Sequence, residues 1–581
     1  MKLTANKTYF IVAALPAAIG LYFGWRTFWF LTDDAYIAFR YVSNSMLGYG
    51  YVWNAPPFLP VEGYTSYLWI VLLDGLWKVS GIEPPDIANS VALVFSYLTL
   101  FITAIAAANI SLHERLKMCR PLLAGLILLG CIFNRTYLAW SSSGLETAMF
   151  NFFCLSWLLL IMIGRARHVR RLLLIMLSAA CIYLTRPDGL LFILASLAIA
   201  AATFHFDRGK GRFKARQLLA LSPLFLVVVH LIWRKATYGG WLPNTYVAKY
   251  AGPWPQSGVR YALSFILEYS VWIWAAMFAL AIFRIIRRPK QNKERTSATV
   301  SGSLVRNLLN VRDAHDACIR SIAILTVAAH AAYYTFVIGG DHFEYRVYSQ
   351  LVPLLFLSFV VLVNALAWSP RRSIIVLVGF IVLSLPIPWM HWLKTRHLDI
   401  RNDTFKMTVP IAQEFPLPFR WYVGWFDSLQ AWLIDRSVCM RHQEHKIFHQ
   451  AQIAEYPTRL VGLRIRREDL PVMVVHTVGV PSWVLPTVNI IDALGLNDYV
   501  IARSPFKPGQ RKVMFHGRKA PEDYLESYYP NVLIRAGHSV EVLPRHILFT
   551  EERIEQLERD WRNWIDKGGV KPEGIPGMRL Q

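Results

Sequence analysis

Cysteine is scarce in this chain and badly placed for crosslinking. There are six among 581 residues. Cys131, Cys154 and Cys181 lie inside apolar runs, and Cys119 and Cys318 sit beside basic segments. Cys439 alone falls in the polar C-terminal part, so that part holds no internal disulfide. No Cys/His pair has metal-binding spacing, and no internal repeat is present, which excludes zinc modules and solenoids. Charge is thin too, at 17% of residues. Runs such as Leu122–Phe133, Leu172–Leu184 and Ile374–Leu385 carry none. A soluble globular class is excluded for most of the chain.

What is abundant is apolar surface. The chain is 55% hydrophobic and 14% aromatic, with mean hydropathy +0.34. Soluble domains average nearer 45–50% apolar. The expected class is a polytopic α-helical membrane protein, and its 21 Trp and 26 Tyr suit aromatic belts at two interfaces. The net charge of +23 is gathered in short segments between apolar runs, as the positive-inside rule requires, so a lipid bilayer and no nucleic acid is the expected partner. The N-terminus, with Lys2 and Lys7 before an apolar run that lacks an Ala-x-Ala exit, reads as an uncleaved signal-anchor.

About eleven transmembrane spans are expected, near 9–25, 88–110, 121–138, 146–164, 170–185, 188–204, 217–233, 262–284, 319–338, 351–368 and 373–391. Alternate loops carry Arg115/Lys117/Arg120, Arg165/Arg167/Arg170/Arg171, Arg208/Lys210/Arg212/Lys214/Arg216, Arg284 through Arg320, and Arg371/Arg372, which assigns them to the cytoplasm. Tyr67–Val79 is too short for a span and holds Asp74 and Lys78, so it reads as interfacial or re-entrant. Two domains follow: residues 1–391 in the membrane and 392–581 as an extracytoplasmic α/β domain. In the latter, Val472–Val475, Val488–Ile491 and Tyr499–Ile501 are expected strands, and Thr550–Lys567 an expected helix.

The outer loops hold the chemistry. Asp33 and Asp34 follow the first apolar run directly. Carboxylates survive at a span end and cost several kcal/mol within hydrocarbon. A carboxylate there can accept a proton from a hydroxyl. Neighbouring residues diverge on a helix, so we place Asp33 as base and Asp34 as orienter or sugar ligand. The competing reading of the pair is a helix N-cap or first turn. Arg40, Arg186, Lys249 and Arg346 are the candidate cations for a leaving phosphate. Structural alternatives stand beside them: an Arg186–Asp188 or Arg186–Glu146 ion pair, and a snorkelling Lys249. Glu62, Glu146, Asp188 and Asn244, with Tyr36, Tyr64 and Tyr238, are candidate substrate ligands. Asp341 and His342 are candidates for acceptor binding or, with the Asp pair, for a divalent ion; the residues leave the cofactor and metal unknown.

Five ordered pieces on one face carry a resemblance. They are Asp33–Arg40 with Gly48, Gly50, Asn54 and Val61–Thr65; Ser143–Glu146; Thr185–Asp188; Tyr238–Lys249; and Gly339–His342. In these the chain resembles the bacterial membrane arabinofuranosyltransferases of the AftB-like GT-C glycosyltransferase group, over roughly residues 20–350. It departs at Asp188, where a family member carries Glu, and around His342. The resemblance implies a GT-C fold and an inverting transfer of a sugar, arabinofuranose, from a polyprenyl phosphate of decaprenyl type. The acceptor implied is a hydroxyl of a glycan or glycoprotein. It implies a bacterial inner membrane with the active site and C-terminal domain extracytoplasmic. The alternative function is a non-catalytic scaffold for a pilus, flagellum or envelope assembly. A transporter would carry its ionisable residues mid-span, whereas here they gather at span ends.

Overall fold

The computed structural model describes residues 7–163, 169–211, 214–250, 252–287, 313–506, 509, 511–514 and 517–568. Lys2, Arg165, Arg167, Arg212 and most of the basic stretch before Arg320 lie outside the described residues. The fold is helical. Among the described residues, six helical segments are long and apolar enough to cross a bilayer: Pro84–Asn109, Pro187–Arg208, Ala215–Tyr238, Ala314–Ile338, Arg346–Ala365 and Pro370–Thr395. Pro255–Glu268 and Val271–Arg284, bent by 89°, make a seventh if counted as one span. Arg120–Phe133 and Thr147–Met162 are apolar but shorter than the roughly 20 residues a bilayer needs. The expected 121–138 span breaks at Asn134, whose side chain caps a new short helix by accepting from Tyr137 N at 3.1 Å.

Helix α1 (Lys7–Thr27) leads into α2 (Asp33–Met46), which starts the site. Thr32 caps α2, its hydroxyl accepting from Ala35 N at 3.2 Å. The next helix, α3 (Tyr67–Ser80), buries Trp69, Ile70 and Leu73 and ends at Gly81, in the left-handed region at φ 73°. Its 14 residues rise about 21 Å, short of a bilayer's ~30 Å core.

The polar C-terminal residues pack directly on α2. Strand β1 (Val472–Val475) pairs in parallel with β2 (Asn489–Asp492), and β3 (Val532–Ile534) pairs antiparallel with β4 (Val540–Val542). Val475, Val480, Trp483, Leu485, Val488 and Ile490 share one core with Phe39, Tyr41, Trp53 and Trp69. The strand expected at Tyr499–Ile501 is instead the helix Tyr499–Arg503. The reason is local: the Asp498 carboxylate accepts from Ile501 N at 2.8 Å and nucleates a turn that the apolar run alone does not disclose. The expected C-terminal helix spans Glu551–Asp566, capped by Thr550.

Two ionic arrangements tie the layers together. Arg135 meets Glu344 at 2.9 Å; Arg441 meets Glu344 at 3.1 Å and Glu268 at 2.8 Å; all four side chains are buried. Arg40 is the second. Its guanidinium donates to the carbonyls of Trp53 (3.0 Å), Ser482 (2.8 Å), Leu485 (3.0 Å) and Val488 (2.8 Å). Against the expected phosphate role of Arg40, four of its five N–H donors are spent on backbone carbonyls, and it is 1% exposed. Arg40→Met should therefore act on folding. It orphans carbonyls at about 1–3 kcal/mol each, so the apparent unfolding midpoint in detergent and the steady-state protein level should both fall. Normal midpoint and level with lost activity would restore the ligand role.

Candidate functional site

The residues gathered from distant loops meet in one cleft. It is a groove that is partly open to its surroundings. Asp34, Tyr64, Glu146, Arg186, Lys249 and Arg346 line it, with Ser66, Trp69, Thr245 and Leu496 among their neighbours.

Each wall has a local cause. Thr32 N donates to Ser143 O at 3.1 Å and Ser143 N to Phe30 O at 3.0 Å, so the Ser143–Glu146 turn runs beside the start of α2. That turn needs Gly144 at φ 76°, where an added Cβ would meet Ala35 and Leu31 at 2.8 Å. It delivers Glu146 to the cleft. Arg186 precedes Pro187, and the ring drives it to extended backbone (φ −153°), ending the helix Val169–Thr185. Its guanidinium donates to Tyr334 Oη (2.6 Å) and Asp188 (3.3 Å) and reaches Glu146 (3.5 Å). Asp188 accepts in turn from Tyr334 Oη (2.7 Å) and contacts His330 Nε2 (2.8 Å). Arg346 is clasped by Asp341 at 2.8 and 3.2 Å. Burial alone would raise the Asp341 carboxyl; the Arg346 guanidinium overrides it and holds it below the usual carboxylate range. Lys249 ends the short helix Asn244–Lys249, started by Pro243.

The two aspartates part company. Asp34 lines the cleft. Asp33 is 7% exposed, and its carboxylate accepts from Val480 N at 2.8 Å and Gly479 N at 3.1 Å. Only glycine fits at 479, because a Cβ there would lie 1.9 Å from Asp33 O. Asp33, expected as the base, is thus held on backbone N–H groups, whereas Asp34, expected as orienter or sugar ligand, faces the open cleft. The pair also occupies the first turn of α2, as the helix-terminus reading has it.

The remaining candidates stand behind the lining. Tyr238 Oη lies 3.2 Å from Tyr64 Oη. Glu62 pairs with Arg234 at 2.8 Å in a buried bridge. Asn244 Nδ2 contacts the carbonyls of Gly495, Leu496 and Asp498. Tyr36 Oη lies 3.0 Å from His449 Nε2. His342 Nδ1 meets Ser437 O at 2.9 Å, and burial holds its imidazole below the usual value. Among the described residues, three metal-type ligand atoms converge at Asp313, His315 and Asp316. That cluster starts the helix whose other end bears His330, about 22 Å away along the helix rise.

Sequence reasoning missed Leu496, Thr245, His330 and Tyr334. His330 had a signal, a histidine within an apolar run. Leu496 had none.

No protein-family model matches the chain. The fold and cleft are those of a helical multi-pass membrane protein with a charged site at helix ends. In sequence it is similar to the terminal beta-(1->2)-arabinofuranosyltransferases. That of Mycobacterium tuberculosis is 29% identical over 274 residues, 44% of this chain and 41% of the relative. That of Corynebacterium glutamicum is 26% identical over 300 residues, 47% of this chain and 41% of the relative. The match thus spans about two-fifths of the length of each curated relative. In structure the chain is similar to ArnT from Cupriavidus metallidurans, crystallised with undecaprenyl phosphate, at TM-score 0.41 and 13% identity over 86% of this chain and 88% of that one.

The Asp33 environment makes stability pH-dependent. Burial pushes its carboxyl from 3.8 to about 7, against its two N–H donors and with Asp34 adding to the rise. Between those values the folded state holds a proton that the unfolded state has lost. The Asp33 contribution is therefore full below about pH 4 and is lost as pH climbs through 7. The full shift corresponds to roughly 4 kcal/mol at most. Melts in detergent between pH 5 and 8 should show the midpoint of the unaltered chain falling, and Asp33→Asn flattening that fall. Parallel curves for the two would refute it.

Proposed function

We propose that this chain is a glycosyltransferase that moves a sugar, arabinofuranose, from a polyprenyl phosphate to a hydroxyl of a glycan. One observation carries the reading: a carboxylate, Asp34, shares a cleft with three cations, Arg186, Lys249 and Arg346. Asp34 takes the acceptor's hydroxyl proton. The acceptor oxygen bonds the anomeric carbon from the opposite side, and the bond from that carbon to the phosphate oxygen breaks. The polyprenyl phosphate leaves with the electron pair, and the cations stabilise the charge that develops on it. The similarity to the two terminal beta-(1->2)-arabinofuranosyltransferases supports the choice of sugar and of transfer.

The finer reading follows the charge pattern. The cleft opens on the extracytoplasmic side of a bacterial inner membrane, since the basic loops occupy the other face. The eleven-span GT-C arrangement adds α1, the helix Val169–Thr185, the bent pair Pro255–Glu268 and Val271–Arg284 taken as one, and the two shorter apolar helices to the six long ones. Residues 392–581 then form the outer part that closes over the cleft through Leu496.

The test uses purified protein, radiolabelled polyprenyl-phosphate arabinose and glycan acceptors, with the product linkage analysed. Asp34→Asn should lower transfer by about 10²–10⁴-fold at unchanged protein level. Full transfer by that variant, or none by the unaltered chain with any acceptor, would end the proposal.

A further inference from the structure

The helix that ends in Lys249 is too short to hold itself. Six residues form it, and isolated helices of that length are not stable in water. Its carbonyls at the C-terminal end have no further turn to bond them. Those of Val247 and Ala248, the two residues before Lys249, accept from Arg518: Nη2 to Val247 O at 2.8 Å and Nε to Ala248 O at 3.3 Å. The same guanidinium donates to Ser504 O at 2.6 Å, which roots it in the C-terminal part. At the other end, Arg503 Nη1 donates to Asn244 Oδ1 at 2.9 Å. The Asn244 amide contacts three carbonyls between Gly495 and Asp498. Leu496, within that stretch, lines the cleft.

We propose that Arg518 is a positioning residue for Lys249: it caps the carbonyl end of the Asn244–Lys249 helix and so fixes the ammonium in the cleft. The proposal deepens the reading of Lys249 as a phosphate ligand and rests on it. A cation at the C-terminal end of a helix is favoured electrostatically, so Arg518 can remain charged while it braces the turn. It touches neither donor nor acceptor. Its effect on a phosphate reaches the cleft only through the backbone before Lys249. The C-terminal part is, on this account, a member of the donor site as well as a cover for it.

The test is a double-mutant cycle on the whole chain, with undecaprenyl phosphate as the binding probe. Arg518→Gln should speed amide hydrogen exchange in residues 244–250. It should weaken undecaprenyl phosphate about tenfold and raise KM for the polyprenyl-phosphate sugar more than it lowers kcat. Arg518→Lys, which keeps the charge and one donor direction, should recover part of each effect. In the Lys249→Gln background, Arg518→Gln should add nothing further to the binding loss. Unchanged exchange in 244–250, or a full additional tenfold in the Lys249→Gln background, would overturn the proposal. If the unaltered chain fails to bind undecaprenyl phosphate, the phosphate reading falls, and the exchange result alone decides whether Arg518 braces the helix.

Discussion

The carboxylate of Asp33, held by two backbone N–H groups at the start of the helix Gly479–Val484, fixes how α2 meets the C-terminal part. Successive side chains on a helix point about 100° apart. Once Asp33 is turned into the C-terminal part, Asp34 has to face elsewhere, and elsewhere is the cleft. Two turns along the same helix, Arg40 grips four carbonyls of the same neighbourhood. An acid and a base on one helix are thus both spent on peptide groups. The helix gains a fixed rotation about its axis, and the free acid gains a fixed heading.

The cations on the far walls are braced by carboxylates. Arg186 has Asp188 and Glu146, and Arg346 has Asp341. Buried ion pairs cost desolvation and are weak evidence for stability. Their value here lies in direction, since a guanidinium clamped from behind cannot turn away when an anion enters. The lining itself holds three cations, Arg186, Lys249 and Arg346, beside two carboxylates, Asp34 and Glu146. Lys249 is held differently, through the carbonyls of its own helix.

Much of this was legible in the sequence where chemistry and span ends coincide. Asp34 stands beside Asp33, Tyr64 beside Gly63 and Arg186 before Pro187, and these three line the cleft together with Glu146, Lys249 and Arg346. The helix boundary at Arg186 follows from Pro187, and the C-terminal helix from Thr550 and its acids. The illegible part is long-range. Nothing around Asp33 announces a partner 446 residues away, and a basic residue at 40 reads equally as ligand or staple. The helix at Tyr499–Arg503 shows the same limit at short range: a β-branched apolar run reads as strand until one aspartate side chain is seen to bond forward.

The quartet of Arg135, Glu268, Glu344 and Arg441 is electrically neutral only when complete. Three of its members come from the first 350 residues and one from the polar remainder. A polypeptide ended after residue 391 would seal two carboxylates beside a lone guanidinium in a water-free interior. Such a fragment would have to admit water or take up a proton there, so the early helices are not a free-standing module. Replacement at any one of the four positions would call for a compensating replacement at another, and drift at these sites should come in matched steps.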